Sequence, residues 1–195
     1  MATPFSQRVL VDSNILYSKC LRDWLGVLVT REIEAGFVVH WTEEILADVI
    51  KHLRRNHPEW SGAQTRRVHD VIVETFWNGR VEDFVVDGSY AGKDPEDAHV
   101  HAAALACDAH YLLTVNTRDF PDTDALTYEV LSPDEFLLLV DDSTPSLVRL
   151  AVGDQVRYWL QREGEADLPG QLRRSGCPHF AERVRRHLQA ISQDL

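Results

Sequence analysis

The sequence has no uninterrupted apolar run of about 18 residues, so it contains no segment suited to crossing a bilayer as a helix. Cysteine is scarce. Cys20, Cys107 and Cys177 are an odd number, lie far apart and form no C-x-x-C pair. Such spacing builds neither a zinc site nor a disulfide framework, and a reducing cytoplasm is the expected setting. No apolar stretch of signal-peptide length precedes Asp12, so secretion is not expected. Repeats and low-complexity segments are also missing. With 44% hydrophobic and 26% charged residues, wholesale disorder is excluded. Positive charge is short as well: 20 Lys+Arg face 31 Asp+Glu in 195 residues, a net of −11. A chain this acidic repels nucleic acid unless a cation gathers its acids.

The acid is unevenly placed. Residues 82–142 hold 15 acids against Lys93 and Arg118, whereas residues 1–81 balance and residues 143–195 are slightly basic. Only some of these acids can serve a site; Asp122, Asp124, Asp134, Asp141 and Asp142 are expected at the surface.

Along the chain, short β-branched runs alternate with helical periodicity. Residues 8–11 (RVLV), 37–41 (FVVHW), 82–87 (EDFVVD), 111–115 (YLLTV) and 127–131 (TYEVL) read as strands. A helix is expected over residues 15–35, stopped by Gly36, and another after Thr42, a good N-cap. Pro58 breaks the chain before a helix over about residues 63–77. Asp94-Pro95-Glu96-Asp97 is a strong helix start, with Pro at the first helical position and acids at the positive dipole end. Alanine-rich residues 98–109 follow, small enough on one side to pack closely on a sheet. Ser132-Pro133 opens a helix to Val140. The expected fold is α/β, a three-layer α/β/α arrangement around a mainly parallel sheet. Residues 141–145 (DDSTP) mark a boundary, giving a domain over 1–142 and a helical C-terminal extension over 143–195. In the extension, helices around 146–162 and 178–190 are separated by a Gly/Pro segment.

Asp12, Asp97 and Asp119 all lie after strands, and strand ends of an open parallel sheet converge on one edge. Carboxylates held together repel one another unless a divalent cation lies between them, and oxygen-only donors suit Mg²⁺ or Mn²⁺. Each acid also has a plainer reading. Asp12 and Asp94 can cap helices, Asp97 stands in a capping-box position, and Asp119 is an ordinary turn residue.

Three segments taken together resemble PIN domains: Val9 to Leu16 (VLVDSNIL), Asp94 to Ala104 (DPEDAHVHAAA) and Leu112 to Pro121 (LLTVNTRDFP). Between them, Thr42 to Asp48 (TEEILAD) is similar to the segment that supplies the family's second acid. The likeness spans about residues 8–140. It implies a Mg²⁺- or Mn²⁺-dependent endoribonuclease, a hydrolase leaving a 5′-phosphate and a 3′-hydroxyl. It also implies a VapC-type toxin of a type II toxin–antitoxin pair, with RNA as substrate, an antitoxin as protein partner and a homodimer as a further assembly. By the same likeness Asp12, Asp48, Asp97 and Asp119 hold the metal, and Asn116 shares the fourth position with Asp119. The family's second acid is commonly Glu, so either Asp48 or Glu44 fills that place. Asn14 and Thr114 are candidates to fix a carboxylate or a water, or simply to bond within the loop, and Asp94 is a further supporting candidate.

His99 and His101 stand about 200° apart on a helix and read as packing or solvent positions. Trp24, Trp41 and Trp77 read as core, leaving Trp60 as the tryptophan best placed to stack a base. Lys51, Arg54, Arg55, Arg66 and Arg67 form one segment able to meet phosphates, and residues 173–187 form another. A haloacid-dehalogenase phosphatase is disfavoured because Asn14 stands where its second Asp is needed, and a receiver domain because no Lys follows the 111–115 strand. The rival reading is a catalytically weak PIN-like module that works by binding an antitoxin or another partner.

Overall fold

The computed structural model describes residues 6–30, 36–121, 126–164 and 166–193. Its elements are β1 (Gln7–Val11), α1 (Ser13–Tyr17), α2 (Lys19–Val29), β2 (Phe37–His40), α3 (Glu43–Asn56), α4 (Gly62–Thr75) and α5 (Ala98–Ala106). They continue as β3 (Tyr111–Leu113), β4 (Glu129–Leu131), α6 (Pro133–Ser143), α7 (Pro145–Glu163), α8 (Leu168–Arg174) and α9 (Pro178–Gln193). Single 3-10 turns cover Pro95–Asp97 and Thr117–Asp119.

The four strands form one parallel sheet in the order β2-β1-β3-β4. Val9, Leu10 and Val11 are fully buried, as a central strand covered on both faces requires. Leu10 stands opposite His40 on one side and Leu112 on the other, and Leu113 stands opposite Leu131. This register brings the carboxyl ends of β1 and β3 side by side: the Asp12 N–H donates to the Leu113 carbonyl at 3.0 Å. Helices flank the sheet, giving the PIN-like α/β/α layering with helices added at the C-terminus. No helix among the described residues is long and apolar enough to cross a membrane.

Local chemistry sets several boundaries. Thr42 caps α3 through the Ile45 N–H at 3.0 Å, and Ser61/Gln64 and Ser132/Glu135 form reciprocal capping boxes for α4 and α6. The helix expected over residues 15–35 is instead two. Ser18 adopts an extended backbone and its hydroxyl accepts from the Leu21 N–H, ending α1 and starting α2; residues 31–35 lie outside the described residues. The expected strand over 82–87 does not form. Its three apolar residues sit between acids, and Val85 is 78% exposed, so the segment has no buried face to pair. A single parallel bridge, Trp41 to Arg80, gives this region its backbone pairing with the sheet edge among the described residues. The Gly/Pro segment of the extension contains α8, whose first turn accommodates Pro169 because that position needs no N–H partner. Trp77 is 68% exposed, not core.

The hydrophobic core runs on through the C-terminal helices. Leu147, Val148, Ala151, Leu168, Leu172, Phe180 and Val184 are buried in the same cluster as β1 and α2. Phe180 meets Trp24 edge-on, with ring centroids 5.2 Å apart. Two acids expected at the surface are in fact buried here. Asp134 (7% exposed) accepts the Phe180 N–H at 2.8 Å and the His179 N–H at 3.2 Å, at the amino end of α9. Asp141 (3% exposed) meets His187 at 2.6 Å and Arg183 at 3.5 Å. Asp142 is exposed and pairs with Arg183 at 2.9 Å; Asp122 and Asp124 lie outside the described residues.

Candidate active site

Asp12 caps α1 at the carboxyl end of β1 and is 5% exposed. Its carboxylate accepts from the Ser13 N–H, from Asn14 Nδ2 at 2.5 Å and from Thr114 Oγ1 at 2.7 Å. Asn14 Nδ2 also donates to Thr114 Oγ1 at 3.0 Å, and Asn14 Oδ1 accepts the Val115 N–H at 3.2 Å. Asn14 thereby ties the loop after β1 to the loop after β3 and fixes the orientation of the Asp12 carboxylate.

Asp97 ends the 3-10 turn that leads into α5. Its side chain makes no cap hydrogen bond, so it is free to face the neighbouring acids instead. Asp94 takes the capping work through the Glu96 N–H at 3.0 Å. Burial, reinforced by the charges of Asp12, Asp94 and Asp119, pushes Asp97 up to about 7. Asp119, half-buried, closes the second 3-10 turn and is reached from Asp97 by this field. Asn116 is exposed at the start of that turn, and its carbonyl accepts the Asp119 N–H at 3.0 Å.

Asp48 and Glu44 are turned to a different partner. On α3 they face His99 of α5, with Nε2 3.4 Å from Asp48 and Nδ1 3.7 Å from Glu44. His99 Nδ1 is buried without a hydrogen bond. Lys51 bridges Asp48 at 3.7 Å and Glu96 at 3.9 Å, so it lies beside the acids. His101 is buried against Tyr128, its Nδ1 2.6 Å from the Tyr128 hydroxyl. The remaining basic residues of the 51–67 segment scatter. Arg54 bonds the Trp60 carbonyl at 3.0 Å, Arg66 pairs with Asp70 at 3.5 Å, and Arg55 and Arg67 are exposed. Most of the second basic segment is paired, Arg173 and Arg185 with Glu182, Arg174 with Asp167 and Arg183 with Asp141 and Asp142, while Arg186 is exposed.

A model of the PIN domain matches residues 8–118. The chain belongs to the PIN domain family. No curated protein and no solved structure matches it. PIN domains are a nuclease-type fold, generally metal-dependent hydrolases of phosphodiester bonds, and in this PIN domain Asp12 and Asp119 lie after the carboxyl ends of β1 and β3, where open parallel sheets bind ligands. The donor set is all oxygen, and the carboxylate charges that add to the effect of burial on Asp97 are ones a divalent cation would relieve, so the residues fit Mg²⁺ or Mn²⁺ in charge and donor type. Among the described residues, no three possible ligand side chains already stand in a coordination group.

Sequence reasoning passed over Tyr90. Its hydroxyl donates to the Asp119 carbonyl at 3.0 Å and is within hydrogen-bonding reach of the Asp97 carboxylate. Burial and the charges of Asp97, Asp119 and Asp94 hold the phenol well above its ordinary value, so it stays a donor. Gly92 makes room for this contact: a Cβ there would fall 2.1 Å from the Tyr90 hydroxyl oxygen and 2.5 Å from the Asp119 carbonyl oxygen. The one available signal was a lone aromatic among small residues, Gly88-Ser89-Tyr90-Ala91-Gly92, directly before the acidic helix start.

Proposed function

We propose that this PIN domain is a divalent-metal-dependent endoribonuclease and that it serves as the toxin of a type II toxin–antitoxin pair in the cytoplasm. The observation that carries the nuclease reading is a set of partly shielded acids within reach of one another's charge: Asp97 is pushed up to about 7, first by burial and then by Asp12, Asp94 and Asp119. Asp12, Asp97 and Asp119 would hold Mg²⁺ or Mn²⁺, with Asp48 or Glu44 contributing from the far side of His99. When bound, such a cation lowers the pKa of a nearby water and stabilises charge on a phosphate. The chain's own residues prepare the rest. Asn14 and Thr114 hold the Asp12 carboxylate in one orientation. Tyr90 braces the closing turn through the Asp119 carbonyl. Asn116, neutral and exposed, is placed to orient a water or a phosphate oxygen. In this reading residues 1–142 carry the chemistry and residues 143–195 brace it.

The test is cleavage of end-labelled RNA by pure, antitoxin-free protein across a Mg²⁺ and Mn²⁺ titration, with Asp97→Asn beside the wild type. Metal-dependent internal cleavage by the wild type alone supports the proposal, and its absence ends it. For the toxin role, induction should arrest growth with the wild type and not with Asp12→Asn, and a protein encoded beside it should relieve the arrest.

A second reading, a catalytically weak module that binds a partner protein, is favoured by one observation: Asp48 is already engaged by His99 and Lys51, leaving Asp12, Asp97 and Asp119 as the candidate ligands. The same titration separates the two.

A further inference from the structure

On the other end of α1 from Asp12 lies a groove of about 720 Å³ that the acid site does not use. Tyr17 closes α1 and lines it, Arg22 comes from α2, Trp60 and Arg67 from the α3–α4 connection and α4, and Tyr158 and Arg162 from α7. Three aromatic rings and three guanidinium groups therefore converge from five parts of the chain. Trp60 is stacked on His57 with centroids 4.4 Å apart and an interplanar angle of 15°, which holds the indole in a fixed plane. Arg162 lies over the Tyr158 ring, 5.8 Å from its centroid.

The charges in the groove are unusual for an acidic protein. Arg22 is 8% exposed, one Nη donates to the Leu16 carbonyl at 2.6 Å, and its Nε is buried without a partner. No ion pair to Arg22, Arg67 or Arg162 is found among the described residues. Asp23 also lines the groove and its charge reaches Arg22, but it is paired with Lys19 and makes no ion pair with the guanidinium, so the buried charge is only partly compensated and favours an anion. Lys19, by contrast, is already paired with Asp23 at 2.8 Å and stacked on Trp159, so it adds little free charge. A second cavity shares Arg22 and Tyr158 and extends the groove between α2 and α4.

We propose that this groove binds a single-stranded segment of the RNA substrate, taking bases on Tyr17, Trp60 and Tyr158 and phosphates on Arg22, Arg67 and Arg162. The proposal rests on the ribonuclease reading above. Aromatic faces interleaved with guanidinium groups suit unpaired nucleotides, whose π-faces and phosphates alternate along the strand, better than they suit a duplex. The position agrees. Five-residue α1 is about 7 Å long, so a strand lying on Asp12 reaches Tyr17 within its neighbouring nucleotides. The groove also resolves the charge problem of the sequence, because it offers the strand an anion-binding path beside the acidic edge.

The test is fluorescence anisotropy of a labelled, unstructured RNA of about 12 nucleotides with the full chain in EDTA, so that no cleavage intervenes. Arg67→Gln combined with Arg162→Gln should weaken binding about tenfold and lower the salt slope by roughly 1.4, two phosphate contacts on a single strand. Trp60→Leu should weaken binding severalfold and leave the salt slope unchanged. Arg22→Gln should weaken it too. Arg67 and Arg162 are exposed, so their variants report even if Arg22→Gln fails to fold. Arg185→Gln, far along α9 and paired with Glu182, should bind as the wild type does. A wild type that does not bind the RNA, groove variants that bind it normally, or equal loss with Arg185→Gln would each overturn the proposal. Binding through the groove without metal-dependent cleavage would instead count against the nuclease reading alone.

Discussion

Two groups of shielded carboxylates in this molecule have opposite surroundings. Asp134 and Asp141 are buried where the C-terminal helices meet α6, and each is met by positive charge or by N–H groups: the amino end of α9 for Asp134, and Arg183 and His187 for Asp141. Asp12, Asp97 and Asp119 lie near the sheet edge with hydrogen-bond donors around Asp12 but, among the described residues, no cation paired with them, and burial together with the neighbouring charges raises Asp97 to about 7. The first group has its compensation built into the protein and joins one part of the chain to another. The second lacks it, which is how a protein looks where an external cation is to complete the charge balance.

Exchanging a carboxylate for an amide should separate the two groups. Asp12→Asn should reduce metal-dependent cleavage by about a hundredfold or more at a smaller cost in thermal stability, since Asn still caps α1 although its Nδ2 faces the Asn14 amide where an oxygen accepted before. Asp141→Asn should do the reverse, lowering stability by about 2 kcal/mol in urea unfolding because it leaves His187 without its anion and Arg183 with Asp142 alone. Equal effects from the two substitutions would erase the distinction.

Proton linkage sharpens it further. The folded-state value of Asp97, about 7, stands above its ordinary 3.8. Between those values folded Asp97 holds a proton that the unfolded chain has released. The metal-free protein therefore gains stability from this group as pH falls through 7, with the gain complete below about 4. His40 and His101 are lowered by burial and act in the opposite direction, so the quantity to measure is the difference in melting temperature between wild type and Asp97→Asn. That difference should move in favour of the wild type from pH 8 to pH 5.5. Adding Mn²⁺ at pH 8 should stabilise the wild type and not the variant.

The smallest effects belong to the residues that support the edge. Gly92→Ala should displace Tyr90 and lower cleavage about tenfold, since the new methyl would occupy the position of the hydroxyl. Tyr90→Phe removes one hydrogen bond and should cost about 1 kcal/mol of stability, with a mild rise in the metal concentration needed for half-maximal cleavage.

Much of the scaffold could be read in advance because its signals are local. β1 is an apolar run ending in Asp12, Thr42 announces α3, and Asp94-Pro95 announces the turn into α5. Asp12 and Asp119 lie after β1 and β3, as strand ends of a parallel sheet predict, whereas the strand expected before Asp97 does not form and Asp97 enters from the turn that starts α5. What stayed hidden depends on partners distant in the chain. Nothing near Asp134 or Asp141 indicates that α9 will cover them, so both looked like surface acids. Residues 82–87 have strand-like composition but no neighbour to pair with. Ser18 splits a continuous apolar periodicity by one side-chain hydrogen bond. Arg22 sits within the period of α2, and only the arrival of α4 and α7 makes it the floor of a groove.

The bridge at Trp41 has a consequence for self-association. The outward N–H and C=O of Trp41 are taken by the Gly79 carbonyl and the Val81 N–H, at 3.1 and 2.8 Å, and Gly79 lies so close to the Val39 carbonyl that a Cβ would stand 1.8 Å from it. This stretch of the β2 edge is thus closed by the chain's own backbone to an incoming strand. Two copies of the protein cannot extend the sheet by pairing a strand with Trp41, because its outward groups are already taken.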